Sequence, residues 1–249
     1  MDIPALRKLY WKLEKLIVPE LRSSQTHYRD KLFSVLPATG FSWLDLGCGH
    51  QVFGDWMMSD QEQLVRRTGL AVGIDLDLPA LKAHKGLHAK IYGNLTQIPL
   101  KDESFELITA NMVVEHLDQP AAVFRQVHRL LKPDGIFVFH TTNERNPLLR
   151  IAAKVPQGLK NRIIYLLEHR KAEDVFPTQY LANRPDQIAA LAGATGFEIS
   201  ALDLVSTSAL TQMLAPVVVW ELLFIRMLRQ ERFQHLRSNL ICVLRKNAG

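Results

Sequence analysis

Leu44-Asp45-Leu46-Gly47-Cys48-Gly49 closes a short apolar run that begins at Phe41, and the reading of the fold starts from its two glycines. A strand that runs straight into Gly-x-Gly can turn sharply, and its backbone can approach a ligand where side chains would stand in the way. Gly-x-Gly alone is common in turns, so the residue before it carries the information. Sites that grip a pyrophosphate rely on backbone N–H groups and a helix N-terminus, and a carboxylate such as Asp45 would repel the phosphates there. An acidic residue at this turn favours a cationic ligand.

Outward from this turn the chain alternates strand and helix signals. Apolar runs at 70–74, ending in Asp75, and at 89–92, 105–111 and 135–140 read as further strands. Before the last of these lies a helix with Asp118 as its expected N-cap, Pro120 in its first turn and Lys132-Pro133-Asp134-Gly135 ending it. Strands separated by helices need crossover connections, hence an α/β fold with a mostly parallel sheet and helices on both faces. Residues 144–183 break the alternation and read as an insertion or lid. A helix at 185–195 closed by Gly196, then a strand at 197–204, resume it. A helical insertion at 205–237 precedes the final strand at 239–245. The expected organisation is an amphipathic helical segment (1–35), a cofactor-binding core (36–143), the insertion (144–183) and the C-terminal part of the core (184–249). A chain of 249 residues suffices for one such domain, and no second core is evident.

Composition narrows the partners. A net charge of +5 suits an anionic substrate, an anionic membrane surface or a solvated exterior. No basic run alternates with aromatics, so no nucleic-acid partner is expected. Cys48 and Cys242 form no metal-spaced cluster, and the start Met1-Asp2-Ile3-Pro4 lacks a signal-peptide core, so the chain is expected to be cytoplasmic. Leu6, Leu9, Tyr10, Leu13, Leu16 and Ile17, with Arg7, Lys8, Lys12 and Lys15 between them, have helical spacing with one apolar and one basic face. Such a helix packs on the domain, or serves as a lid or a membrane-surface helix. The apolar stretch 213–228 is interrupted by Pro216, Glu221 and Arg226 and falls short of the roughly 20 residues a spanning helix needs. It reads as a core helix, a dimer contact or an interfacial anchor, so oligomeric state and peripheral membrane contact stay open.

The segments at 44–49, 73–77, 93–107, 113–117 (VVEHL), 127–139 (VHRLLKPDGIFVF) and 188–198 (IAALAGATGFE) together resemble the class I S-adenosylmethionine-dependent methyltransferases, in the branch of quinone-biosynthesis and other small-molecule enzymes. The resemblance runs over 36–246 and implies a Rossmann-like seven-stranded sheet whose last strand is antiparallel. It implies S-adenosyl-L-methionine as cofactor, whose sulfonium and ammonium groups agree with the acidic turn. Gly47, Cys48 and Gly49 would line the methionine moiety, with Asp45 near its ammonium group. Asp75, followed by Leu76, would hold the ribose, a role whose alternative is a helix-capping aspartate. Asn94 and Leu95 would face the adenine, and Asn111 and Met112 would border the methyl group. Two positions depart from the pattern: Gln51 replaces a third glycine, so that His50-Gln51 is expected to supply side-chain contacts, and Asn94 stands where relatives carry Asp.

Methyl transfer is an in-line displacement that needs a base only when the acceptor arrives protonated. His116 and His140 are the candidate bases, and His169 and Tyr180 in the insertion are candidate acceptor contacts. No metal is expected, since His84 and His88 lack an acidic partner. The expected activity is O- or C-methylation of a small-molecule or lipid-like acceptor. A non-catalytic S-adenosylmethionine-binding module and an NAD-dependent oxidoreductase are the alternatives.

Overall fold

Seven strands form one sheet in the order β3-β2-β1-β4-β5-β7-β6 in a computed structural model that describes residues 3–154, 178–208 and 217–247. The strands are β1 (Phe41–Leu46), β2 (Thr68–Asp75), β3 (Ala89–Tyr92), β4 (Phe105–Asn111), β5 (Leu131–Thr142), β6 (Phe197–Val205) and β7 (Asn239–Lys246). The pairs β1/β2, β1/β4, β2/β3 and β4/β5 are parallel, the last strand is antiparallel and helices flank the sheet, as the sequence led one to expect. Parallel pairing places the carboxyl ends of β1, β2, β4 and β5 along one edge. The strand order reverses between β1 and β4, which is where sheets of this type open a ligand crevice. Register sets Asp45 opposite Thr109 and Gly73, and Asn111 opposite His140.

The described helices are α1 (Ile3–Ile17), α2 (Ser24–Ser34), α3 (Met58–Arg67), α4 (Leu78–Ala83), α5 (Pro120–Leu130), α6 (Pro147–Lys154), α7 (Pro185–Thr195) and α8 (Val217–Met227). Two details differ from the sequence reading. The N-cap of α5 is Gln119, which makes no side-chain cap bond, so Asp118 lies one position too early. The Lys132-Pro133-Asp134-Gly135 stretch lies within β5 and does not end the helix. Between Phe105 and Leu107 of β4 the partner strand advances from Leu131 to Ile136, so residues 132–135 bulge out, with Asp134 at φ 61°.

The chain divides into two compact units. One holds most of the sheet and comprises the described parts of His27–Thr142, Thr178–Asp203 and Leu240–Gly249. Its interior is lined by β1, β4 and β5, with Trp43, Leu44, Ile108 and Val138 fully buried, and by an aromatic group in which Phe124 meets Phe137 and Phe139 edge-on. The other unit comprises the described parts of Met1–Thr26, Asn143–Pro177 and Leu204–Asn239. It has a core of its own: Tyr10 and Val18 pack with Val218, Leu222 and Ile225. That second core corrects the expectation of a single one. Its members are separated by some two hundred residues, so no local pattern announces it. Asn143 and Asn146 pin this unit by donating from their side-chain amides to the carbonyls of Arg237 (2.6 Å) and Leu236 (2.8 Å). Among the described residues no helix is long and apolar enough to cross a membrane.

Candidate functional site

The turn after β1 is held from below by β2. The Gly47 N–H donates to the Ile74 carbonyl at 2.8 Å, and the Gly49 N–H donates to the Asp75 carboxylate at 2.7 Å. Both glycines adopt left-handed backbone angles, φ 60° and 52°. A Cβ on Gly47 would lie 2.5 Å from a Val113 methyl, whereas one on Gly49 would meet nothing within 4 Å. Gly47 is therefore required by packing against the β4 side, and Gly49 faces open space. The second Asp75 oxygen accepts from the Asp77 N–H at 2.7 Å. A carboxylate has about four acceptor sites, so each Asp75 oxygen keeps one for a ligand hydroxyl. The helix-capping role falls to Asp77, whose carboxylate accepts from the Ala80 N–H at 2.9 Å. Leu76, between the two aspartates, is exposed.

No helix begins at this turn. The chain continues through a short 3-10 turn at Asp55–Met57, and α3 starts only at Met58. The positive helix end that phosphate sites use is thus absent, which extends the argument made from Asp45. At the place of the missing third glycine, the Gln51 amide donates to the Asp55 carboxylate at 3.0 Å. The Val52 N–H donates to the buried Gln61 side chain at 2.8 Å, a support that no sequence signal marked.

Beneath the turn, Asp45 is buried and accepts from the Thr109 hydroxyl at 2.5 Å; that oxygen in turn accepts from the Trp43 indole N–H at 2.7 Å. Burial pushes the Asp45 carboxyl up to about 7, the Thr109 bond opposes this, and the nearby Asp75 charge adds to it. Cys48 is also buried, and burial raises its thiol well above the usual range. Asn111 at the end of β4 donates to the Val52 carbonyl at 2.9 Å and pairs through its side-chain oxygen with His140 Nδ1, also at 2.9 Å. His140 is fully buried, stacked on Tyr28 of α2 at 5.5 Å. Burial, with a smaller contribution from His27, pushes its imidazole down to about 3. An imidazole that burial makes so hard to protonate is a weak base at neutral pH. Nothing in the α2 sequence had singled out Tyr28.

Of the two residues expected to face the adenine, Leu95 is half-buried and Asn94 is exposed. The Asn94 side-chain oxygen already accepts from the Thr96 N–H (3.0 Å) and hydroxyl (3.1 Å). Both its lone pairs are used within its own turn, so the oxygen expected to receive the adenine amino group would have to give up a Thr96 bond.

A third cluster follows Met112, itself at φ 58° and donating its N–H to the His140 carbonyl at 2.8 Å. The 3-10 turn Val114–His116 leaves His116 half-buried and Glu115 buried. The Glu115 carboxylate accepts from the Thr141 hydroxyl at 2.7 Å, and Thr141 accepts from the Asn183 amide at 2.7 Å. Burial raises the Glu115 carboxyl, against the Thr141 bond. The Glu115 carbonyl accepts from the backbone N–H groups of Gln179 (2.7 Å) and Tyr180 (3.3 Å). Tyr180 is itself at φ 54°. The backbone bond thus sets Tyr180 beside Glu115, the chain neighbour of His116, and Met112 and Tyr180 both adopt left-handed backbone that costs of order 1 kcal/mol or more each. Glu115, Thr141 and Asn183 form the tether, which sequence spacing did not reveal. His169 lies outside the described residues.

Residues 44–139 match a family described as a methyltransferase domain. The chain is 28% identical over 166 residues to a demethylmenaquinone methyltransferase of Roseiflexus castenholzii, a match covering 62% of this chain and 66% of that protein. It is 32% identical over 149 residues to a ubiquinone biosynthesis O-methyltransferase of Paracidovorax citrulli, covering 55% of this chain and 58% of the relative. Among solved structures, an S-adenosylmethionine-dependent methyltransferase from Mesorhizobium loti shares the fold with a TM-score of 0.53 at 18% identity, over 87% of this chain and 96% of that one. The chain spans only part of the length of the curated relatives it matches, from 37% of one to 66% of another.

Proposed function

We propose that the chain, a class I methyltransferase by its domain at residues 44–139 and its strand order, binds S-adenosylmethionine outside the carboxyl ends of β1, β2 and β4 and transfers its methyl group to a small apolar acceptor. The observation that carries this reading is the glycine turn. It is strapped to Asp75, opens onto free space at Gly49, has carboxylates beneath and beside it, and lacks a helix N-terminus. That donor set suits a ligand with ribose hydroxyls and positive charge. It does not suit a pyrophosphate, which sets aside the NAD-dependent alternative.

The cofactor supplies a methyl group already activated by its sulfonium, so the chain's own work is alignment and exclusion of water. Gly47, Cys48 and Gly49 form the floor, Asp75 accepts from the ribose, and Asp45 supplies negative charge once a cation partners it. Asn111 and Met112 border the reacting group, with Asn111 oriented by the His140 bond. His140 is a positioning residue in this scheme. The half-buried His116 is the group able to take a proton from a hydroxyl acceptor, and Tyr180 walls the same place. The quinone-biosynthesis relatives support an apolar ring as acceptor, methylated at oxygen or carbon.

Calorimetric titration with S-adenosylmethionine and with S-adenosylhomocysteine tests the reading. Micromolar binding of both, weakened at least about tenfold in Asp75→Ala by loss of a charge-assisted contact, is expected. Absence of binding by folded protein sinks it. With a phenolic acceptor in hand, His116→Ala should lower kcat about a hundredfold. An unchanged kcat removes His116 from the mechanism.

A further inference from the structure

We infer that the unit built from α1 and α8 docks on the anionic face of a lipid bilayer. The inference stands apart from the methyl-transfer reading, since every residue it uses lies outside the glycine-turn unit. Helix α8 is apolar almost all round, a composition that belongs to a buried helix. Its inner side, Val218, Leu222 and Ile225, is spent on the core with Tyr10 and Val18 of α1. The opposite side stays uncovered: Val217, Trp220 and Leu223, spaced by three, are exposed, Trp220 at 74%. On α1 the same is true of Trp11 (57%) and Leu16 (78%). Single exposed apolar residues need no explanation, but two tryptophans and several aliphatics on two packed helices do.

Charge selects the occupant. Lys8, Lys12 and Lys15 are exposed along the outer side of α1, at spacings of three and four that align them on one helical stripe, with Trp11 on one flank and Leu9 and Leu16 on the other. Arg226 is exposed on α8. Amphipathic tryptophan rings and exposed aliphatics beside snorkelling lysines match the boundary between headgroups and acyl chains, and anionic lipids neutralise the lysines. A second copy of this chain fits less well. A two-fold contact through this face would set the lysine stripes of both copies into one shared interface, where like charges are unfavourable. Helix α8 has 11 residues and is about 16 Å long, half the ~30 Å bilayer core, so the contact is peripheral.

Flotation of the full chain on a density gradient tests this, with vesicles of phosphatidylcholine plus phosphatidylglycerol against phosphatidylcholine alone. The chain is expected to float with the anionic vesicles about tenfold more than with the neutral ones, and to be released by salt as screening predicts. The double variant Trp220→Ser, Leu223→Ser should lose about tenfold in partition, and the triple variant Lys8→Gln, Lys12→Gln, Lys15→Gln should lose the salt-sensitive part. All five positions are exposed, so thermal melts of the variants should match that of the parent. Failure to float, or flotation that neither variant diminishes, overturns the inference. So does a concentration-dependent dimer that Trp220→Ser abolishes, since a second copy would then cover the face. S-adenosylhomocysteine titration reads the glycine-turn unit separately, so either conclusion can fail while the other survives.

Discussion

Asp45 is a carboxyl group that the fold keeps out of water before any ligand partners it. Burial raises its pKa from 3.8 to about 7, so the folded state holds a proton that the unfolded chain releases near pH 4. The stabilisation this gives is complete below pH 4 and is lost as pH rises towards 7. His140 and His84 act in the opposite sense. Burial lowers them from 6.5 to about 3 and about 4, so their contribution is present above pH 6.5 and fades as pH falls. The opposed signs flatten the parent profile between pH 4 and 7, and a variant is needed to expose either component. Asp45→Asn keeps the shape and removes the titration. It should unfold like the parent near pH 4 and become more stable than the parent above pH 7, by at most about 4 kcal/mol for a three-unit shift. Urea titrations at pH 4 and pH 8 measure the difference. Equal gaps at the two pH values would mean that Asp45 does not titrate in this range.

The turn, taken as an element, separates two uses of glycine. Gly47→Ala meets both a left-handed backbone and a methyl contact at 2.5 Å, and should cost about 2–4 kcal/mol of stability. Gly49→Ala meets only the backbone cost, about 1–2 kcal/mol, because its new methyl enters open space. If that space is where the cofactor lies, Gly49→Ala should weaken S-adenosylhomocysteine binding far more than its melting temperature suggests. Binding unchanged in Gly49→Ala would place the ligand elsewhere. What was legible here followed from strong local chemistry: strands 41–46, 89–92 and 105–111 and helix 185–195 sit where apolar runs, proline and glycine put them. Local signals failed where a neighbour decided the outcome. Pro133 and Gly135 look like a terminator, yet pairing with β4 keeps the strand going by bulging four residues out. Asp75 and Asp77 are two plausible caps two residues apart, and only the Gly49 N–H shows which one is taken by the turn. The Glu115–Thr141–Asn183 tether joins three distant segments, so no window of sequence contains it.

At the scale of the whole chain, the alternation of strands and helices was enough to specify the sheet unit, because each crossover is a local unit of strand, turn and helix. The second unit escaped because its core pairs the first helix with a helix near the C-terminus. Its apolar residues could equally have covered the sheet, and an amphipathic pattern names a buried face without naming what buries it. If the two units are also energetic units, a core deletion in one should be felt locally. Leu222, fully buried in the second core, is the place to test this. Leu222→Ala should cost about 2–5 kcal/mol, and hydrogen exchange should speed up together in α1 and α8. Amides of β1, β4 and β5 should keep their protection. Loss of protection in those strands to the same degree would show one cooperative transition, and the division into two units would then describe contacts only. Retained protection would mean that the α1–α8 unit opens on its own, at a lower free energy than the sheet.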